Sequence, residues 1–411
     1  MQTGDQGRLL VDAFLEQRGM PAENVTVNIA SDESTMTEQL VTNSSGQTHE
    51  IALPAPPIAY SMAPNQGRPY SPYNLTIELL GYKTVQVNGV QVFPGSLAVQ
   101  EVVLEPAEEP GTRQTDITIR EPVLWGDFPE KIPEDPVKPL PPPMNYIVLP
   151  DPVIPEFIVV HNGDPADASA VNHWVRFTDY IKNVASCEIY ANWPESTIRA
   201  NVLAILSFTL NRVYTEWYRS KGYNFTITNS TAYDQAFDYG RNIFQEISEV
   251  VDEVFTTFIT KPNIKQPLFT QYCDGKNVQC PGWLSQWGSK DLGDQGKNSI
   301  DILKTYYGSD IYLMQAAQVE GVPSSFPGHN LQIGSQGSDV RIIQQQLNAI
   351  ADHYPAIGKV AADSVYGDKT LAAVETFQKV FGLPSTGIVD FATWYKISQI
   401  YVAVTKMAEL V

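Results

Sequence analysis

The sequence predicts a multidomain α+β protein with an N-terminal β-sandwich, an α+β core and a C-terminal three-helix bundle. Three observations carry this expectation. At 411 residues the chain exceeds what one compact core of ordinary size uses. The spacing of apolar residues changes along it, from short alternating runs to a mixed pattern and then to helical periods. Between the first two regimes, ten prolines fall within the twenty-seven residues from Pro129 to Pro155.

Composition bounds the function. Hydrophobic residues make up 43% of the chain and charged residues 18%, enough apolar content to build cores and too much for a disordered polymer. Acidic residues outnumber basic ones 46 to 27, the formal net charge is −19, and no basic stripe exists. Nucleic acid and anionic membrane surfaces are therefore excluded as partners. No apolar run approaches the roughly 20 residues of a membrane span. The opening MQTGDQGRLLVDAFLEQRG lacks a basic n-region and an unbroken apolar h-region, so no secretory signal is expected. Export would then use another route, or a signal missing from this sequence.

Taken in order, residues 1–110 hold the alternating runs RLLVDAFL, NVTVNIA, HEIAL, NLTIELL, KTVQVNGVQVF and LAVQEVVLEP, separated by Gly, Pro, Asn and Ser. Evenly spaced short strands of this kind predict the sandwich. Residues 111–156 follow as a proline-rich linker, too proline-dense to join a packed core and expected to be extended. Residues 157–315 mix helical and strand patterns and hold most of the tryptophans. After a short linker over 316–330, residues 331–411 form the C-terminal module. There Ser338 or Asp339 is placed to cap a helix carrying Val340, Ile343, Leu347 and Ile350. A second helix carries Ala373, Val374 and Phe377, and a third spans Asp390 to Ile400.

Within the core, Asp179 to Tyr214 reads as a short helix up to Glu188, a loop with Trp193, and a long helix starting near Pro194. Ile198, Val202, Ile205, Leu206 and Val213 are predicted to line one side of the long helix. Three cysteines, Cys187, Cys273 and Cys280, are too few for a disulfide scaffold. Cys273 and Cys280 read as two thiols or a small disulfide loop in preference to metal ligands; Cys187 reads as a buried small residue.

Several segments resemble known families. The N-terminal run GRLLVDAFLEQRGMPAENVTVNI with its later GYKT step is similar to carboxypeptidase-regulatory-like or prealbumin-like sandwiches. The succession LQIGSQGSDVRIIQQQL, YGDKTLAAVETFQ and GLPSTGIVDFATW resembles the peptidoglycan-binding type 1 domain. That resemblance implies a noncatalytic module holding cell-wall glycan, with Tyr366 and Trp394 as candidate stacking aromatics; core packing is the competing reading of Trp394. The segment ending at Glu188, with NWPESTIRANVLAI after it, resembles the stage II sporulation protein D family. DQAFDYG around Gln235 and GWLSQWGSKDLGDQGKNSIDILKTYYGSDI, through Ser285, Gln286, Gly288, Ile302, Leu303, Tyr306 and Tyr307, match its later motifs in order. The chain departs from the family in Asn201, Leu203 and Phe208, bulkier than the usual alanines, and in Ser289. The whole order of segments resembles the clostridial spore cortex-lytic enzymes.

These resemblances imply a peptidoglycan lytic transglycosylase with Glu188 as its catalytic group and no cofactor. Such an enzyme breaks the β-1,4 bond from N-acetylmuramic acid to N-acetylglucosamine with the muramic acid's own C6 hydroxyl, leaving a 1,6-anhydro end. One carboxyl group can protonate the leaving oxygen and then accept the hydroxyl proton. Ordinary glycosidases need two, about 5–5.5 or 6.5–9.5 Å apart. Tyr190, Trp193, Gln235, Ser285, Gln286, Trp287 and Tyr306 are the substrate-binding candidates. A solvent-facing helix end is the competing reading of Glu188, and core positions that of the tryptophans.

The resemblance further implies a spore protein of the cortex or coat–cortex region, with peptidoglycan and a subtilisin-like activating protease as partners. MNYIVLP is the one stretch of the proline-rich junction apolar enough to fill protease subsites, so activation is expected at Tyr146, Ile147, Val148 or Leu149. A plain spacer beside a permanent binding module is the alternative. Two rival functions stand beside the transglycosylase. An N-acetylmuramoyl-L-alanine amidase would want a zinc set that the five scattered histidines do not form. A noncatalytic wall-binding scaffold or enhancer needs no site.

Overall fold

Alternation decides the first strand. In β1 (Asp5–Leu15) Leu9, Val11 and Ala13 are fully buried, while Arg8 is exposed and Leu10 and Asp12 are half-buried on the other face. The computed structural model describes residues 5–15, 19–32, 35–108, 112, 116–140 and 151–405. Over these residues the chain is a mixed α+β protein with several sheets.

The predicted runs lie in β1, β2 (Thr26–Ala30), β4 (Ile51–Ala55), β5 (Ser71–Glu78), β6 (Val85–Val92) and β7 (Leu97–Leu104). β3 (Thr37–Val41), the one-turn helix α1 (Ala59–Met62) and β8 (Ile117–Thr118) join them. One sheet has the order β3-β2-β5-β6-β8. Its β5–β6 pairing shifts register beyond Tyr73, where β6 carries one residue more than β5. Gly89 takes that bulge at φ +80°, a conformation favouring glycine.

The second sheet has the order β4-β1-β7-β13, and β13 (Ile243–Phe244) comes from far beyond the proline-rich junction. Its pairing with Ala98 and Val99 of β7 stitches the N-terminal region into the core.

Around the core's central helix pack α2 (Phe177–Glu188), α4 (Gln245–Val254), α5 (Gln286–Asp294), α6 (Ser299–Tyr307) and β14 (Thr257–Thr260). That helix is α3 (Glu195–Tyr214), with Pro194 at its N-cap. The expected one-sided apolar stripe is not what α3 shows: Ala200, Asn201, Leu203 and Phe208 are as buried as Ile198, Val202, Ile205 and Leu206, while Val213 is half-buried. Neighbours on all sides leave no solvent face. Smaller strands complete the core: β9 (Val153–Ile154) with β18 (Gln318–Val319), and β11 (Asn172–Arg176), β10 (Phe157–His161) and β12 (Ile227–Thr228) in one sheet. β15 (Tyr272–Cys273) pairs with β16 (Leu284–Ser285), and β14 with β17 (Tyr312–Gln315).

Helices α7 (Ser338–Ala351), α8 (Asp368–Val380) and α9 (Phe391–Thr405) build the C-terminal module. Gly337, not Ser338 or Asp339, occupies the N-cap of α7. Asp390 Oδ1 accepts the Thr393 N–H, capping α9. The module docks on α4, where Phe255 meets Phe391 and Tyr395 at 5.6 and 5.2 Å between ring centres. It also reaches the loop between β3 and β4: Gln47 Nε2 donates to the Val380 carbonyl at 2.8 Å.

One expectation is overturned. Part of the proline-rich junction is not a free linker: residues 120–138 run along the core, through a turn at Pro122–Gly126, and bond to it. The prolines lack N–H groups, but the intervening residues keep theirs and find acceptors in the core.

Candidate functional site

Helix α2 ends at Glu188, and its carboxyl turns inward, 1% exposed. Three donors meet it. Gln286 Nε2, at the start of α5, donates to Oε2 at 3.1 Å and to the Glu188 carbonyl at 3.0 Å. The Ala236 N–H donates to Oε1 at 3.0 Å, and the Tyr272 hydroxyl to the same oxygen at 3.3 Å. Tyr272 belongs to β15, whose parallel pairing with β16 sets Tyr272 beside Leu284 and brings Gln286 to the same place.

The disulfide between Cys273 and Cys280 closes the loop that follows Tyr272. Within it, Asp274 accepts the N–H groups of Lys276, Asn277 and Val278. Gly275 stands at φ +75°, and a Cβ there would come within 1.9 Å of Ser285 Oγ. Both facts require glycine at that turn.

A cavity of about 210 Å³ opens at Glu188, lined also by Tyr272, Asp274, Gln286 and Thr231. Its other wall is the strap, residues 120–138, through Trp125, Phe128, Pro129 and Lys131. Lys131 donates to the carbonyls of Asp234 and Thr231 and lies 4.9 Å from the Tyr272 ring centre. Burial pushes the Lys131 ammonium down from its ordinary value, and the negative charge of Glu188 works against that shift. Desolvation by burial also raises the Tyr272 hydroxyl well above the ordinary phenol, with the Glu188 charge adding to it, so Tyr272 stays a donor.

The sequence-predicted residues divide. Glu188 and Gln286 meet directly. Gln235 stands behind them: its Oε1 accepts from Tyr180 at 3.2 Å and Thr209 at 2.8 Å, so it positions rather than faces the cavity. Ser285 caps α5 through the Gly288 N–H at 2.9 Å, and Tyr306 is half-buried beside it.

Five expected sugar-binding aromatics require correction. Tyr190, Trp193 and Trp287 form a buried cluster, with Trp193 and Trp287 5.1 Å apart. Phe93 of the N-terminal region covers Tyr190 at 5.1 Å, and Trp193 Nε1 donates to the Ser61 carbonyl of α1. Tyr366 is buried in the C-terminal module, its hydroxyl bonded to the Gly387 carbonyl. Trp394 is the core residue of the competing reading, 1% exposed with Nε1 on the Ser324 carbonyl. Large apolar rings with one polar atom are buried wherever that atom finds a carbonyl, as here. The expected cleavage positions Tyr146, Ile147, Val148 and Leu149 lie outside the described residues.

Sequence reasoning missed Tyr272, Lys131 and the buried pair Arg212–Asp234. Arg212 Nε donates to Asp234 Oδ1 at 2.7 Å, and its other nitrogens to Glu134 of the strap at 3.2 and 2.6 Å. The signal for Tyr272 was its place directly before Cys273; Lys131 and Arg212 carried none.

Residues 336–397 match the family of putative peptidoglycan binding domains. No curated protein matches the chain. Among solved structures, a SleB N-terminal domain is 28% identical, covering 19% of this chain and 99% of that one, with TM-score 0.17. The Klebsiella pneumoniae 5-hydroxyisourate hydrolase is 22% identical over 24% of this chain and 86% of that one, TM-score 0.17. The Bacillus anthracis TIE protein is 15% identical, covering 25% of this chain but only 17% of its own, TM-score 0.18. Likenesses at such scores carry no argument about this chain's fold or activity. Among the described residues, no helix is long and apolar enough to cross a membrane, and no group of three or more His, Cys, Asp or Glu could hold a metal ion.

Proposed function

We propose that the chain is the precursor of a peptidoglycan lytic transglycosylase of the spore cortex, with Glu188 as its acid and base. The observation that carries this is a single inward carboxyl group held by Gln286, Tyr272 and the Ala236 N–H at the edge of a cavity. Of the other acids lining that cavity, Asp127 and Glu130 belong to the strap, and Asp274 is spent on three loop amides. One carboxyl group is what the intramolecular C6-hydroxyl reaction uses, whereas hydrolysis by water calls for two.

In the reaction Glu188 gives its proton to the glycosidic oxygen as the bond to C1 breaks. The carboxylate so formed takes the proton of the C6 hydroxyl as that oxygen closes on C1. Gln286 and Tyr272 orient the carboxyl throughout. The match of residues 336–397 supports peptidoglycan as the material bound and an extracytoplasmic, cell-wall setting. The strap supports a zymogen: it walls the cavity and sets the Lys131 ammonium in it with Glu188, in the space the glycosidic oxygen must enter. Cutting near Tyr146–Leu149 by a subtilisin-like protease would free the strap with the N-terminal region. The test incubates cut protein with cortex peptidoglycan and reads the fragments by mass spectrometry. Anhydro-muramic ends are expected; reducing ends alone, or intact glycan, would overturn the reading.

A further inference from the structure

The strap is held in a way that describes a ligand. Gln271 brackets it, Oε1 accepting the Glu134 N–H at 2.8 Å and Nε2 donating to the Ile132 carbonyl at 2.7 Å. Gln266 does the same at Lys138, with both bonds at 3.0 Å. Between them the Phe269 N–H donates to the Pro136 carbonyl at 2.9 Å. These contacts read extended peptide backbone and ignore side chains, as in strand addition.

Over residues 132–138 the groove holds two charged strap side chains. The Glu134 carboxylate sits on the guanidinium of Arg212, whose side chain is fully buried. The Lys138 ammonium lies 4.3 Å from the Phe269 ring centre and 4.8 Å from that of Trp217, with Glu134 Oε2 at 2.9 Å. The groove therefore selects an extended peptide bearing a carboxylate and an amine.

It also runs to the reacting centre. Gln271 directly precedes Tyr272, which donates to Glu188, and Lys131 precedes the bracketed Ile132. A peptide lying here would have its leading end beside the carboxyl group. Peptidoglycan has that shape: its stem peptide branches from the muramic acid at the scissile bond and carries both carboxylates and, in its diamino acid, an amine.

We infer that the groove formed by α3 and residues 266–272 is the subsite for the substrate's stem peptide, occupied in the uncut chain by the strap as a tethered mimic. The inference rests on the reading of Glu188 as acting on peptidoglycan. It makes the enzyme selective for peptide-bearing glycan, with Gln266, Gln271 and Arg212 as the residues that select.

Calorimetry on the full chain tests it with two soluble probes, an N-acetylglucosaminyl–N-acetylmuramyl tetrapeptide and the same disaccharide without peptide. Loosening the strap by Glu134→Gln with Lys138→Ala is expected to tighten tetrapeptide binding about tenfold over wild type, a gain near 1.4 kcal/mol. The bare disaccharide should gain nothing, and adding Gln266→Ala should remove the gain. Equal gains for both probes, or none for the tetrapeptide, overturn the inference. If the loosened chain unfolds, hydrogen exchange over residues 131–138 of the wild type replaces it. There the tetrapeptide probe must speed exchange and the bare disaccharide must not; no difference overturns the subsite. The two readings fail separately. Equal cleavage of peptide-bearing and peptide-free glycan to anhydro ends refutes the subsite and keeps the transglycosylase. Peptide-dependent binding without anhydro ends does the reverse.

Discussion

Glu188 and Lys131 define the site at the scale of single residues. Replacing Glu188 by Gln keeps the volume and the acceptor oxygen but removes the transferable proton. Cleavage by the cut enzyme should fall by about a hundredfold to ten thousandfold, with wall binding and melting temperature retained; near-normal release of anhydro ends would move the chemistry elsewhere. Lys131→Met removes the cation beside the acid and leaves its apolar stem against the rings of Phe208 and Tyr272. The uncut chain carrying it should release more anhydro ends than the uncut wild type. Equal release by both would show that the strap blocks by bulk alone.

Among the elements, the strap is the one whose hold can be weakened selectively. Its charge anchor is Glu134, whose carboxyl group is held low by Arg212 and Lys138 although burial alone would raise it. Glu134→Ala leaves Arg212 paired with Asp234 but removes the ion pairs that Glu134 makes with Arg212 and Lys138. Breaking a fully buried pair costs about 3–5 kcal/mol, and this partly solvated one less. The expected result is faster hydrogen exchange in residues 131–138 of the uncut chain, with α3 unchanged. Equal loss of protection in both would mean that Glu134 supports the core itself.

Across the whole molecule, the N-terminal region is joined to the core by more than the strap. β13 completes the sheet of β1 and β7, and Phe93 and Ser61 cover Tyr190 and Trp193. A cut near Tyr146–Leu149 therefore leaves a noncovalent complex that must still separate. Size-exclusion chromatography of the cut protein should show activity rising with loss of the N-terminal fragment; full activity in the intact complex would make cutting alone sufficient.

The same N-terminal sheet meets the C-terminal module across a cavity of about 450 Å³ that holds Asp12, Glu101, Lys182 and Lys396. Burial first, and then Glu101, push the Asp12 carboxyl up to about 8 from an ordinary 3.8. The folded chain thus keeps a proton that the unfolded chain releases. This contribution to stability is complete below about pH 4 and is lost as pH rises toward 8. Asp12→Asn should flatten that part of the melting-temperature profile; an unchanged slope would assign it to other groups.

The sequence alone determined what is local or ordered along the chain. Strand runs such as RLLVDAFL and the helices of residues 338–405 follow from periodicity, because a two-residue or 3.6-residue repeat sorts side chains to one face whatever lies opposite. It also singled out Glu188 and Gln286, through motif spacing. Tertiary structure decided which aromatic rings are covered, since Tyr190 and Trp193 are buried by Phe93 and α1, about a hundred residues upstream. It decided the strap as well. Proline density says only that the chain is extended, whereas its seat on Arg212 and Gln271 is fixed by contacts 78 and 137 residues apart. No local pattern records such pairings, because each partner satisfies ordinary rules for its own segment and acquires its role only when the other is folded against it.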